Sequence, residues 1–176
     1  PHQIRLDSIT ACNAKCLSCH RLQSERKGIM DLDMVRDIIK DIQSWPEPLI
    51  EVVPVNYGEV FLHPQYQDLL TMIASGLPQT RLVIPTNGIL MDVEFMASLS
   101  TLQIVNVSIN AAFEDTYEAF TVLKADFAGL RLKIRKLHAL RPDVTVWASI
   151  VFDPMYQSDL ERDAFVDMWK DIAIPQ

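Results

Sequence analysis

Apolar residues follow two different spacings along this chain, and the two spacings alternate from one end of the sequence to the other. Short alternating or continuous apolar runs, which are typical of strands, occupy residues 3–9, 49–55, 81–85, 103–109 and 144–151. Segments with apolar positions three or four residues apart, which are typical of helices, occupy residues 34–42, 65–75, 126–140 and 158–172. Strands separated by helices predict right-handed βαβ units and therefore an α/β fold with a parallel sheet.

Several residues mark where the predicted elements begin or end. Asp31 or Asp33 is predicted to cap the first helix, and Pro46 follows its last apolar position. Asp92 is predicted to begin a short helix after the third strand. Pro54 cannot donate to a strand ladder, so we expect the second strand to end irregularly.

Composition and charge exclude some classes of protein. The chain has 176 residues, of which 49% are hydrophobic and 22% charged, so residues 1–176 are expected to form one domain. A net charge of −7 argues against nucleic acid as a partner. No apolar run approaches the ~20 residues that span a bilayer, which argues against a membrane partner. The first residues, Pro1-His2-Gln3, do not resemble a secretory signal.

All three cysteines lie in one loop that directly follows the first predicted strand. Cys12, Cys16 and Cys19 form a C-x3-C-x2-C pattern. Three thiolates can hold three irons of a 4Fe–4S cluster and leave the fourth iron open, which favours chemistry at that iron over simple electron transfer. The odd count argues against disulfides, while a zinc site with His20 as fourth ligand remains the alternative. Reduced thiols predict a cytoplasmic protein.

Polar residues gather where the predicted strands end. The cysteine loop follows the first strand, and the next three strands are followed by residues 56–59, 86–88 and 108–110. In parallel sheets and βα barrels, ligands bind at the carboxyl ends of the strands. We therefore expect these four segments to meet around one bound cofactor. Plainer interpretations are a turn at residues 86–88 and a helix cap at Asn110.

Taken together, these segments resemble the radical S-adenosylmethionine (radical SAM) superfamily. The cysteine pattern matches the family's cluster loop. The family's Gly-Gly-Glu-Pro segment, its Thr-Asn-Gly stretch and its ribose-contact strand are similar, respectively, to residues 57–64, 84–90 and 107–110. Residues 116–120 and the helix that follows resemble members with an added C-terminal iron–sulfur (SPASM-type) domain, which this sequence does not contain.

The resemblance implies a partial (β/α) barrel, usually of six units, of which this chain encodes about five. Residues 1–176 would be the core domain, truncated or short at the C-terminus. The fifth strand, residues 144–151, would then lack a neighbour on one edge.

The resemblance also implies an activity and its cofactors. The chain would be an enzyme that binds a 4Fe–4S cluster and S-adenosylmethionine and cleaves the latter reductively. Radical chemistry would then start on an unidentified substrate. A peptide is the favoured substrate class, and small molecules are the alternative. An external donor such as flavodoxin or ferredoxin would supply the electron.

Site residues follow from the same resemblance. Cys12, Cys16 and Cys19 would bind the cluster. Glu59 would accept a hydrogen bond from the methionyl ammonium, and Gly58 would let the backbone approach the ligand. The other cofactor contacts would come from side chains or backbone at Ser18, Thr86, Asn87, Ser108, Asn110 and Ile150. No catalytic residue is assigned.

The sequence departs from the family pattern at several positions. Tyr57 stands where the first glycine of the Gly-Gly-Glu motif is expected, and Val60 stands where its proline is expected. Ser18 replaces an apolar residue before the third cysteine, and the basic residue expected after the Tyr-Glu segment is replaced near Thr121. These departures keep a second function open: a cluster-binding or redox-sensing protein of the same fold without catalytic turnover.

Overall fold

Strands and helices alternate in the computed structural model, which describes residues 2–23 and 27–176. Within these residues the elements, in chain order, are β1 (Gln3–Arg5), α1 (Leu32–Gln43), β2 (Glu51–Val53), α2 (Tyr66–Gly76), β3 (Arg81–Thr86), α3 (Val93–Ser98), β4 (Leu102–Ser108), α4 (Glu114–Thr121), α5 (Phe127–Leu140), β5 (Thr145–Ser149), α6 (Asp159–Trp169) and β6 (Ile174–Pro175).

The strands form one parallel sheet in the order β1-β2-β3-β4-β5-β6. Each strand therefore pairs with the next strand along the chain, and helices fill the connections between them. This is the arrangement of an incomplete βα barrel, so the predicted α/β fold is confirmed. The carboxyl ends of all six strands meet at one edge, because parallel strands run in the same direction.

The fifth strand is paired on both edges, and the expectation of a bare edge along residues 144–151 is wrong. Trp147 and Ala148 of β5 pair with the two residues of β6. Gln176 extends this pairing, because its N–H donates to the Ala148 carbonyl (2.9 Å) and its carbonyl accepts from the Ile150 N–H (3.1 Å). Five βα units are present, and a sixth strand begins directly after α6.

The two faces of the sheet differ in burial. On β4 and β5, one face is buried against the helices and carries Val105, Val107, Val146 and Ala148. The opposite face is half-buried and carries Asn106, Ser108, Trp147 and Ser149. The uncovered face therefore presents polar and aromatic side chains beside the carboxyl edge. No helix in the described part of the chain is long and apolar enough to cross a membrane.

Side-chain caps begin most of the helices. Asp31, rather than Asp33, caps α1 by accepting from the Met34 N–H (2.8 Å). Asp92 caps α3 in the same way through the Phe95 N–H (3.1 Å), as predicted. β2 ends at Val53, directly before Pro54, as its missing N–H requires.

Helices α2 and α4 begin without such a cap, and at α4 the N-cap residue, Phe113, makes no side-chain cap hydrogen bond. The N-terminus of α4 is instead capped by Glu161, a residue of α6 that is 3% exposed. Glu161 Oε1 accepts from the N–H groups of Ala112 (3.0 Å) and Phe113 (3.4 Å). A buried carboxylate from one helix thus holds the start of another.

Replacing Glu161 with alanine should lower the free energy of unfolding by about 1–3 kcal/mol, because two N–H groups lose their acceptor. Urea unfolding followed by circular dichroism measures the change. The matched control is Leu160→Ala on the same helix, whose side chain is 72% exposed and should matter little. Equal stability of the two variants would show that α4 does not depend on this cap.

Candidate cofactor-binding site

The cysteine loop leaves β1 at the carboxyl edge of the sheet and is held there by α4. Cys12, Cys16 and Cys19 are free and half-buried. The N–H groups of Lys15 and Leu17, on either side of Cys16, donate to the carbonyls of Thr121 (2.9 Å) and Phe120 (3.0 Å). The last turn of α4 therefore fixes the central cysteine relative to the sheet.

The sulfur atoms lie in a polar but largely desolvated environment. Cys12 Sγ accepts from the Ala14 N–H (3.5 Å) and from Asn87 Nδ2 (3.7 Å). Burial raises the pKa of the Cys12 thiol above its usual value. Burial, and then repulsion from Cys12 and Cys19, raises the pKa of Cys16 to about 11. The three sulfurs are therefore close enough for their charges to interact. Binding of iron would displace the thiol protons.

The residues around the cysteines fit a bound cluster. A cavity of about 660 Å³ opens beside Cys12, and Arg21 and Lys27 line it. Arg21 lowers the pKa of both Cys12 and Cys16 against the effect of burial, so it offsets the negative charge that thiolates bring. Among the described residues no three metal-ligating side chains converge on one ion. A cubane cluster does not need such convergence, because each thiolate binds its own iron.

Glu59 is a buried carboxylate at the exit of β2, with 1% of its surface exposed. Its oxygens accept from Thr86 Oγ1 (2.9 and 3.0 Å), from the Asn87 N–H (2.9 Å) and from the Phe61 N–H (3.4 Å). Burial raises the pKa of Glu59, and hydrogen bonds from these donors oppose the rise. The carboxylate pairs with no cation in the described residues.

Asn87 joins the cysteine loop to this carboxylate. Its backbone N–H binds Glu59, while its side-chain Nδ2 donates to Asn13 Oδ1 (2.7 Å) as well as to Cys12 Sγ. Gly88 follows with φ of +79°, a conformation that favours glycine. Residues 86–88 form a turn, as the plainer interpretation predicts, and this turn also connects Glu59 to the cysteine loop.

Gly58 packs against the chain itself. A Cβ atom there would lie 2.1 Å from the Ile9 carbonyl oxygen and 2.9 Å from that of Ala11. The next residue, Glu59, donates its N–H to the Ala11 carbonyl (2.8 Å). Glycine at this position therefore brings the exit of β2 against the start of the cysteine loop. Tyr57, by contrast, is 47% exposed.

The remaining predicted residues lie farther along the same edge. Asn110 has φ of +62° and accepts the Val151 N–H through Oδ1 (2.9 Å), so the helix-cap interpretation is wrong. Ser108 is half-buried on the uncovered face, and its hydroxyl makes no hydrogen bond within the described part of the chain. Ile150 is half-buried, with its N–H bound to Gln176, and Ser18 is exposed.

Sequence reasoning missed the role of α4 and of three polar side chains near the cysteines. Tyr117 and Asn13 belong to this group, as does Arg21, whose Nη2 donates to the Ala14 carbonyl (2.9 Å). The proximity of Asn13 and Arg21 to the cysteines in the chain was the available signal. No local pattern indicated that α4, about a hundred residues later, would dock on the loop.

Solved structures of low sequence identity share this fold. SuiB of Streptococcus suis, bound to the precursor peptide SuiA, matches with a TM-score of 0.80 at 14% identity over 99% of this chain and 38% of SuiB. A radical SAM methyltransferase from Sphaerobacter thermophilus matches with a TM-score of 0.73 at 14% identity, over 98% of this chain and 54% of that one.

A third structure, BtrN in complex with AdoMet and 2-DOIA, matches with a TM-score of 0.63 at 19% identity, over 83% of this chain and 56% of BtrN. This chain therefore spans between about 38% and 56% of the length of these proteins. A comparison with curated protein sequences gives no match.

The family model for the radical SAM superfamily covers residues 7–164, from the exit of β1 into α6. This range contains the three cysteines, Glu59 and Asn87, which the fold brings to one edge of the sheet. The chain belongs to the radical SAM superfamily.

Proposed function

We propose that this chain is the catalytic core of an enzyme that cleaves S-adenosylmethionine reductively at a 4Fe–4S cluster held by Cys12, Cys16 and Cys19. The observation that carries the proposal is the placement of three free cysteines on one loop, joined through Asn87 to the buried carboxylate of Glu59. A bound cluster would supply one electron to break a C–S bond, giving methionine and a 5′-deoxyadenosyl radical that takes hydrogen from the substrate.

Glu59 is suited to bind the methionyl ammonium. A buried carboxylate without a cation is unfavourable, and an ammonium group would offset the cost. Ionised carboxylates offer about four acceptor sites, and Glu59 accepts hydrogens from three groups, of Thr86, Asn87 and Phe61, with the Thr86 hydroxyl shared between both oxygens. Thr86 and Asn87 would therefore act by orienting Glu59, while its remaining acceptor capacity takes the ammonium.

Other groups on the same edge are free to contact the nucleoside. Within residues 2–23 and 27–176, neither the Ser108 hydroxyl nor Asn110 Nδ2 has a hydrogen-bond partner, while Asn110 Oδ1 accepts from the Val151 N–H. These donors fit ribose hydroxyls or a carboxylate. The Ile150 carbonyl and the exposed backbone at Ser18 remain for the adenine edge. Gly58 would act indirectly, by letting the strand exit pack on the cysteine loop.

Partners follow from the same chemistry. An external carrier such as flavodoxin or ferredoxin would supply the electron that reductive cleavage of S-adenosylmethionine requires. The complex of SuiB with its precursor peptide supports a peptide substrate, while the BtrN complex keeps a small molecule open. Reduced thiols support a cytoplasmic location.

A cluster-binding or redox-sensing protein without turnover is the second candidate. Two features favour it: Tyr57 replaces a family glycine, and Glu59 is already engaged by three groups of its own chain. Anaerobic reconstitution with iron and sulfide, followed by dithionite and S-adenosylmethionine, separates the two. Formation of 5′-deoxyadenosine supports the enzyme, and a reducible cluster that leaves the cofactor uncleaved supports the sensor.

Replacing Cys12, Cys16 or Cys19 singly with alanine should abolish the open-site cubane, because two thiolates cannot hold it. Iron content and the thiolate-to-iron charge-transfer absorbance after reconstitution measure the loss. Ser18→Ala is the matched control, since it removes a side-chain oxygen from the same loop without removing a ligand. Full iron loading in any of the three cysteine variants would overturn the cluster assignment.

Replacing Glu59 with glutamine should weaken S-adenosylmethionine binding while the cluster still forms. Loss of a hydrogen bond to a charged group costs about 1–3 kcal/mol, which is roughly a five- to 150-fold loss of affinity. Isothermal titration calorimetry on the reconstituted protein measures it. Glu94→Gln removes an exposed carboxylate elsewhere and should leave affinity unchanged. An equal affinity of the two variants would show that Glu59 does not bind the ammonium.

A further inference from the structure

The hydroxyl group of Tyr117 is buried and has no hydrogen-bond partner in the described part of the chain. Tyr117 lies in the middle of α4 and is 0% exposed. Buried hydroxyl groups are nearly always hydrogen-bonded, because an unsatisfied polar atom in the interior costs free energy. The orientation of this side chain therefore requires an explanation beyond packing.

Helix α4, which carries Tyr117, is bonded to the cysteine loop through its last turn. Thr121 Oγ1 donates to the Tyr117 carbonyl (2.7 Å), and the Thr121 carbonyl in turn accepts from Lys15, next to Cys16. The aromatic ring packs on Phe127, with a centroid distance of 5.1 Å. One face of the ring is thus supported by α5, and the backbone of its helix is bonded to the loop that carries Cys16.

Among residues 2–23 and 27–176, the charged groups that act on this hydroxyl belong to the candidate cofactor site. Burial raises the pKa of Tyr117 above its ordinary value, and the negative charges of Cys16, Cys12 and Glu59 raise it further, in that order. No cation in the described part of the chain opposes them. A protonated phenol that is buried without a partner among the described residues, on the helix whose last turn binds the cysteine loop, can act there as a hydrogen-bond donor.

We propose that the Tyr117 hydroxyl donates a hydrogen bond to a sulfur atom of the bound 4Fe–4S cluster at Cys16 and thereby raises the reduction potential of the cluster. The inference rests on the proposed function only in requiring the cluster. Reduction adds one negative charge to the cluster, and a donor stabilises the reduced form more than the oxidised form, so hydrogen bonds to the sulfurs tune the potential. Tyr117 would therefore tune the reduction potential of the cluster. It would not contact the C–S bond that is cleaved or the substrate C–H bond.

Tyr117→Phe removes the hydroxyl and keeps the ring. Potentiometric titration of the reconstituted protein, followed by electron paramagnetic resonance of the reduced cluster, should show a lower midpoint. Loss of one such bond is expected to weaken one-electron reduction about tenfold, which corresponds to about 59 mV. The matched control is Tyr66→Phe, whose hydroxyl donates to Asp92 Oδ2 (2.8 Å) and not to the cysteine loop. That variant should keep the wild-type potential.

Two further measurements report on the hydroxyl itself. Pulsed electron paramagnetic resonance in H₂O and D₂O should detect an exchangeable proton coupled to the reduced cluster, and Tyr117→Phe should lose it. Without iron, Tyr117→Phe should be as stable as the wild type or more stable, because its hydroxyl has no protein partner to lose. Tyr66→Phe should be less stable, because it loses a hydrogen bond.

The outcomes separate the inference from the proposed function. A wild-type protein that never forms a reducible cluster contradicts the proposed function. A formed cluster whose potential is the same in Tyr117→Phe as in Tyr66→Phe overturns the inference alone. Failure of Tyr117→Phe to fold without iron would also overturn it, since the hydroxyl would then have a partner within the protein. Loss of iron from a normally folded Tyr117→Phe would assign the hydroxyl to cluster binding and overturn a tuning role.

Discussion

The hydrogen bonds of Asn87 are the contact on which the candidate site depends. This residue follows β3, and it binds Glu59 after β2 through its backbone and Cys12 and Asn13 after β1 through its side chain. Three consecutive strand exits are thereby held in one position relative to one another. Gly58 adds a second constraint, because its missing side chain lets the exit of β2 lie against the backbone of residues 9–11. The parallel sheet brings the three strand exits to one edge. The hydrogen bonds of Asn87 and the close packing of Gly58 then fix the distances between them.

A second set of contacts holds the cysteine loop from the other side. Glu161 of α6 caps the beginning of α4, and the end of α4 accepts two hydrogen bonds from residues that flank Cys16. The loop is therefore held between the strand exits and a helix, and that helix is itself held by a later one. Tyr117 lies on α4, and its hydroxyl is buried without a partner in the described part of the chain. The second half of the chain thus contributes to a site whose three cysteines all lie in the first twenty residues.

Without a bound cofactor, negative charge on the side chains at this edge of the sheet is unfavourable. Burial raises the pKa values of Cys12, Cys16 and Glu59, which means that each resists carrying the charge that a cofactor would require of it. Arg21 offsets part of this cost at the two cysteines. Iron at the sulfurs and an ammonium at Glu59 would offset more of it. Ionisable side chains whose pKa values are raised by burial are thus concentrated where a ligand of opposite charge would stabilise their ionised forms, as is usual at functional sites.

The sequence by itself determined the parallel α/β sheet, the cap at Asp92, the choice of Asp31 or Asp33 for the cap of α1, and the segments that would meet at the carboxyl edge of the sheet. These follow from local patterns, because side-chain periodicity and capping depend on a few neighbouring residues. Tertiary structure decided the rest. β6 has two residues, too few for any periodicity, and pairs with β5 only because α6 returns the chain to the sheet. Asn110 binds Val151 rather than capping a helix, and α4 takes its cap from Glu161, 49 residues away from Ala112. Contacts between residues so distant in the chain depend on how the elements pack, and no local pattern records them.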